Sequence, residues 1–521
     1  MPQEKPDYIL SYEKPKNTEI KHINGNWYLY ERRSVYDPKT KKMRKRSGKF
    51  LGKITEQGFV PSKEKIDRKM LEDIEVKEIG LSAFLNERNE KMVNKLKRLF
   101  PDIYKELFTI AVLRLGYDPR FKRISDLYET SILSDLYPNL KLEPSYITDI
   151  LKTLGKRSSA IKQFMKEDND SPSSYMVFDG HRIISDSKSL ETACMGYDSK
   201  ARYKDQVNLV YAFSISGERC FPYYYKQFSG DVPDITAFSS LIEESSLKKE
   251  NLTILADKGF ASDDNFSLIV DSGFMYIVPV KRNADDSKDN IPPSFSEYED
   301  SFTYNSRAIL HRTVMKDEYA IHVFQDASLL ADELADLTSR LEKKNNTISL
   351  KIEKEEIRIK TGKKRRLTDA ELENLKTVSF KECIEDKLAM GTITLRTNNM
   401  QLNGSQVYTL YKRREAIEDF FRSYDNSLDF SASYMRNSYT EEAWLFLNHL
   451  SAIMAFDILD EIYQAGQTSQ ISLDDFKTKL SRIYANKING KWKLAKITKK
   501  RQDFCDLFGL KFDAVFNKIN A

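Results

Sequence analysis

The chain has 521 residues, is 40% hydrophobic and 12% aromatic, and carries a net charge of +5. That is enough apolar material for a large core and length enough for several domains. No apolar run approaches the ~20 residues that cross a bilayer. The start, "MPQEKPDYIL", lacks a secretory pattern, and Cys194, Cys220, Cys383 and Cys505 lie far apart without a C-x-x-C pair. A disulfide framework and a cysteine-built zinc site are therefore excluded, no membrane association is expected, and a cytoplasmic setting is.

The charge is unevenly spread. Residues 1–70 hold 18 Lys/Arg against 9 Asp/Glu, and Lys477 to Arg501 carries 10 Lys/Arg and no acid. Basic ends around a near-neutral centre point to a polyanion, nucleic acid above all. The alternative is a set of solvated lysine-rich surfaces.

In chain order, residues 20–60 predict short strands, with "WYLY" and "KFLGKI" flanking a turn at "DPKTKK". A cationic β-ribbon of this kind can follow a DNA backbone. An edge hairpin kept soluble by lysines fits equally. From about 81 to 168 the apolar spacing is helical and predicts a bundle, closed by the linker "NDSPSS" at 169–174. Strand-like runs follow at 175–178, 207–215, 220–225, 252–256 and 275–280, with helical patterns at 234–246 and 263–272. This alternation predicts a mixed α/β sheet. Residues 284–390 interrupt it with a polar loop, strands within 302–325 and a charged helical stretch from 326 to about 378. Strand character returns at 390–398, and 440–464 predicts a long apolar helix. The expected divisions are a basic β-rich DNA-binding region (1–70), a helical bundle (71–170), an α/β core (171–283 and 386–440), an interrupting segment (284–385) and a helical, basic C-terminal region (441–521).

Two aspartates directly follow apolar runs: "YMVF" precedes Asp179 and "LTILA" precedes Asp257. If these strands are neighbours, both carboxylates reach one point at the sheet edge, a pair of hard oxygen ligands suited to Mg²⁺ or Mn²⁺. Taken singly, each is better explained by a strand-capping turn, and only the pair with a third acid reverses that balance. A third acid is sought in "YKRREAIEDFFRSYDN" (411–426), which offers Glu415, Glu418 and Asp419. At roughly 100° per residue, Glu418 lies at the margin of the apolar face and the other two turn further toward solvent. Helix geometry alone favours a solvated Glu418–Arg422 pair over a ligand role. His181, two residues after Asp179, shares its face on an extended segment. With five histidines and no pair at ligand spacing, zinc chemistry is not expected. His449, on the apolar helix, is expected to be a satisfied core histidine.

Tyr411, Arg414 and Glu418 have the spacing Y-x2-R-x3-E, which resembles the start of the Y-(2)-R-(3)-E-(6)-K signature of bacterial insertion-sequence DDE transposases. "LADKGFAS" (255–262) resembles that group's D-x-G-F/Y segment around its second aspartate. "FSGDVPDITAF" (228–238) resembles its F-x-G-N-x-x-D segment, and "LRTN" (395–398) the strand before its last helix. The resemblance covers about 175–282 and 385–450. It implies an RNase H-like mixed sheet flanked by helices, with Asp179, Asp257 and Glu418 as the catalytic acids holding two Mg²⁺ or Mn²⁺ ions. It also implies that 284–385 is an insertion domain before the Glu-bearing helix.

Cleavage of DNA at transposon ends and strand transfer into target DNA follow from the same resemblance. So do a homodimer on paired terminal inverted repeats and a bacterial, nucleoid-associated location. Arg414 and Arg422 are expected to face phosphates, and Tyr411 to pack near the scissile strand. Lys281 and Arg282, in "KRN" at the exit of the last core strand, are phosphate candidates or structural residues. Two positions depart from the pattern: Asp425 stands at the signature lysine, and the first acid sits in "DGHR" where D-x-T is usual. The competing readings are an RNase H-like nuclease without strand transfer and a transposon-derived DNA-binding protein with impaired catalysis.

Overall fold

The computed structural model describes the chain apart from residues 1–4, 38–40, 63–73, 119, 168–173, 198–202, 217–218, 233–239, 242–243, 245–251, 365, 369–370, 372–373, 385–388, 415–416, 418–429 and 469. It forms two compact units: Met1–Glu75 with Asn486–Lys491, and Val76–Ala485 with Trp492–Ala521. The predicted helical pattern at 234–246 falls largely on residues outside those described.

The smaller unit is an antiparallel meander of β1 (Thr18–Ile23), β2 (Asn26–Asp37), β3 (Lys42–Thr55) and β4 (Gly58–Pro61). Its core is small, built on Ile9, Trp27, Leu29 and Ile54. The ribbon of β2 and β3 keeps its pairing out to Asp37 opposite Lys42, and there it is strongly cationic. Arg33 lies directly opposite Arg46, and Arg32, Lys42, Arg44 and Lys49 are exposed. Like charges directly across a ribbon oppose pairing. The segment gains nothing from them in isolation.

The larger unit follows β5 (Glu75–Glu78) and is organised by one sheet, which has 11 strands among the described residues. At its centre is β6 (Tyr175–Ser185). β7 (Cys194–Tyr197), β8 (Tyr203–Ser216) and β9 (Arg219–Ser229) lie to one side, β8 and β9 running antiparallel in sequence. On the other side β10 (Thr253–Leu255) and β11 (Met275–Pro279) run parallel to β6, with α1 (Tyr104–Gly116), α2 (Pro144–Gly155) and α3 (Asp263–Asp271) among the helices of the unit. The order β9-β8-β6-β10-β11 is consistent with the RNase H-like core implied by the resemblance.

The sheet does not stop there. β12 (Asp300–Tyr304), β13 (Arg307–Met315) and β14 (Ala320–Asp326) extend it through β15 (Thr392–Thr397), which pairs antiparallel with both β11 and β14. Residues 300–326 thus continue the sheet of the core they interrupt. The chain then leaves as α4 (Ala327–Lys360), 34 residues and about 51 Å long. Asp326 caps α4 by accepting from Ser328 N and Leu329 N. Asn345 clasps the returning chain by bonding both the N–H and the C=O of Val378.

Helix α5 (Ser438–Gln464) has apolar residues on all faces, so it must be buried all round. It packs against α1, α2 and β9. Residues 104–155 and 441–464 therefore share a single core with the sheet. Inside that core Arg114 donates to Asn448 Oδ1 (3.0 Å) and Ser451 to Ala111 O (3.0 Å), which fixes the rotation of α5 against α1.

The strand that carries Asp179 is longer than expected. β6 runs through Asp179 to Ser185 instead of ending before it, because β8 and then β16 (Ala432–Ser433) continue to pair with it. Asp257 does lie just past the end of β10.

Two measurements check the packing. A Cβ at Gly155 would lie 1.8 Å from Tyr439 O, where the end of α2 meets the start of α5. Gly155→Ala is expected to cost about 1–3 kcal/mol in thermal or urea unfolding; an unchanged midpoint would contradict this close approach. Glu441, fully buried beside Ser433, has its carboxyl raised to about 7 by burial, against an ordinary 4.5. The native state holds this proton more tightly than the unfolded chain, so stability falls as pH rises from about 4.5 to about 7. At about 1.4 kcal/mol per unit the penalty is about 3 kcal/mol. Glu441→Gln should therefore melt higher than the unmodified protein at pH 8, and the gain should disappear near pH 4.5.

Candidate active site

The two aspartates meet because of strand register. β10 pairs parallel with β6, Leu255 opposite Val177. Asp257 and Asp179 each lie two residues further on, at matching heights on adjacent strands. Asp179 is partly buried and Asp257 more open, and Asp257 Oδ1 also accepts from Lys258 N at 2.6 Å.

Between them stands Arg414. Its Nη2 is 3.8 Å from Asp179 Oδ1 and its Nη1 is 3.7 Å from Asp257 Oδ1. Only 7% of Arg414 is exposed. A guanidinium this far from water needs anions beside it, and the two carboxylates supply them.

Arg414 reaches this position on a helix over 404–414 that is pinned near its start. The turn before it is tied to the sheet: Tyr276 N donates to Asn398 Oδ1 (2.7 Å), and Asn399 donates to Thr253 Oγ1 (3.1 Å). At Gly404 an added Cβ would sit 2.0 Å from the His311 ring, so the helix begins flat against that imidazole. One turn on, Tyr408 is wholly buried among Phe302, Tyr304 and Phe324, and its hydroxyl donates to Asp326 Oδ2 (3.2 Å). Val407, Leu410 and Ile417 complete the buried face. Strands β12–β14 are thus the seat of the Arg414 helix. The sequence reading did not name Asn399, Gly404, Tyr408 or Asp326; "LRTNN" and "NGSQVYTL" carried the only signal, polar turn residues before an apolar stripe.

The other predicted residues fall as follows. Tyr411 is half-buried on the same helix as Arg414. Glu415, Glu418, Asp419, Arg422 and Asp425 lie outside the described residues. Lys281 is exposed. Arg282 donates to Thr392 O (2.7 Å) and to both carboxylate oxygens of Glu333 (2.8 and 3.1 Å), joining β15 to α4. His181 stacks on Phe430 at 5.1 Å, and Phe430 stacks on Trp444, so the imidazole is part of the aromatic packing. His449 is buried against Tyr211 and Tyr225, and burial holds its pKa down at about 3. Its Nδ1 finds no hydrogen-bond partner among the described residues.

One pairing was invisible in sequence spacing. His311 Nε2 and His322 Nδ1 come within 3.3 Å across β13 and β14, with the Thr313 hydroxyl 2.8 and 3.0 Å from them. Burial lowers both pKa values, that of His322 to about 4, so the trio is a neutral hydrogen-bonded cluster at pH 7.

Asp179 and Asp257 fit a hard divalent cation. Their oxygens already gather around one positive charge at the edge of a rigid sheet. Among the described residues no group of three or more His, Cys, Asp or Glu side chains assembles.

No curated protein matches the chain. The family model of the transposase DDE domain matches residues 178–454, more than half of the 521 residues, and that span holds Asp179, Asp257 and the Arg414 helix. The chain belongs to the DDE transposase family.

Proposed function

We propose that the chain cleaves DNA at transposon ends and joins those ends to target DNA, using two Mg²⁺ or Mn²⁺ ions held by Asp179, Asp257 and Glu418. The observation that carries this reading is the convergence of two strand-borne aspartates on one cationic point, within a family of DNA transposases. Bound there, the ions would supply Lewis-acid activation of the attacking oxygen and charge stabilisation of the leaving one. Asp179, in the middle of β6, and Asp257, just past the end of β10, would each offer hard oxygen ligands to such ions. Glu418 follows Arg414 by four positions, the spacing of neighbours on one helix face.

The DNA partner is supported by charge. The β2–β3 ribbon exposes Arg32, Lys42, Arg44, Arg46 and Lys49, a cationic strip that a phosphate backbone can meet. Near the site, Lys281 is exposed and can meet a phosphate, whereas the Arg282 guanidinium is engaged by Glu333 and Thr392. By the same reading Tyr411 packs near the scissile strand and Arg414 and Arg422 face phosphates, with terminal inverted repeats as substrate and a homodimer on paired ends. Asp425 places a negative charge where the signature has a lysine, and so weakens the grip on DNA.

The test uses the inverted repeats that flank the coding region as substrate, with Mg²⁺ present. Asp257→Asn and Glu418→Gln should each lower cleavage and joining by roughly 100-fold or more. Glu418→Gln cutting as fast as the unmodified chain would remove Glu418 from the site. Cleavage without any joined product would leave a nuclease. In a separate binding assay, Asp425→Lys should tighten duplex binding and steepen its salt dependence by about one counterion; an unchanged slope would mean that position 425 does not meet phosphate.

A further inference from the structure

We infer that Arg414 is the resident counter-ion of the metal cleft, and that a divalent cation binds Asp179 and Asp257 only as the Arg414 guanidinium leaves them. This rests on the metal-site reading above and deepens it: the residue assigned to phosphate holds the two carboxylates together before any metal arrives.

Three observations carry it. The planar fork of Arg414 spans both carboxylates, one terminal nitrogen toward each, so a single side chain occupies the point where their charges converge. The side chain is 8% exposed, so bulk water does little to screen its charge, and the two acids beside it help to balance that charge. The two separations, 3.8 and 3.7 Å, exceed the ~2.7–2.9 Å of a charge-assisted hydrogen bond. These contacts are coulombic, and a competing ion can displace them.

A divalent cation ligated by the same oxygens at about 2.1 Å would place like charge against the guanidinium. The two cannot share the cleft as it stands. The helix backbone cannot yield easily, since Gly404 and Tyr408 fix its start on the sheet. The side chain yields instead. Arg has the length to turn from a carboxylate to a nearby phosphate, with which its fork pairs equally well. DNA then draws Arg414 away and frees the carboxylates for metal, and metal in turn releases Arg414 for DNA. By linkage each ligand tightens the other. Arg414 acts here as a positioning residue for Asp179 and Asp257.

The experiment is a calorimetric titration of the DNA-free full chain with Mn²⁺ at neutral pH, beside thermal melts in chelator. Arg414→Gln should bind Mn²⁺ roughly tenfold more tightly or better, the scale on which an adjacent arginine stabilises a carboxylate's charge. The same variant should melt lower than the unmodified chain when metal-free and recover when Mn²⁺ is added. Equal or weaker Mn²⁺ binding by Arg414→Gln would overturn the inference. A paired Asp179→Asn, Asp257→Asn variant separates the two failures: if it binds Mn²⁺ as the unmodified chain does, the metal-site reading itself is lost. Should Arg414→Gln not fold, Arg414→Lys is titrated instead. It keeps the charge but lacks the planar fork that spans both acids, so it too should bind Mn²⁺ more tightly, and binding no tighter would overturn the proposal.

Discussion

A guanidinium almost out of water, set between two carboxylates, is the constraint around which this molecule is built. A guanidinium this buried would not be tolerated without anions beside it. Together they require that three segments distant in sequence, at positions 179, 257 and 414, arrive within a few ångströms. Register on parallel strands supplies the first two. The third comes from a helix whose seat is made by other parts of the chain.

That seat accounts for the extended sheet. An RNase H-like core could end at β15, yet β12–β14 continue it and place Phe302, Tyr304, Phe324 and Asp326 under Tyr408. Asp326 serves the helix over 404–414, the N-terminus of α4 and the guanidinium of Arg307 at once. The inserted segment is therefore not a passive appendage. Its first half holds the Arg414 helix in place, and its second half leaves as the long helix α4. Elsewhere in the unit, α5 packs β9 and the preceding helices into the same core.

Much of this was legible in the sequence. Alternating apolar runs gave the strands at 175, 207, 220, 253, 275 and 392, and the uniformly apolar stretch after 440 announced a helix buried on every side. The pairing of Asp179 with Asp257 followed from two acids at equivalent places after two apolar runs. What the residues could not convey was contact made by long-range pairing. Nothing in the spacing of His311, Thr313 and His322 brings them together, because cross-strand neighbours depend on the length of the turn between β13 and β14. The extent of β6 was underestimated because "DGHR" looks like a turn, while its pairing with β8 and β16 keeps it extended. The motif assigns Arg414 to phosphate, and its near-burial beside two acids depends on a helix seat assembled from strands about 90–115 residues upstream. Arg282 was left open between phosphate and structure, and its bonds to Glu333 and Thr392 are of the structural kind.

The most direct measurement is a crystal structure of the chain soaked with Mn²⁺, its ions located by anomalous scattering. The account predicts Mn²⁺ coordinated by Asp179 and Asp257, with Glu418 as a further ligand and the Arg414 guanidinium turned out of the cleft. Mn²⁺ bound elsewhere, or bound between the aspartates with Arg414 still bridging them, would contradict it.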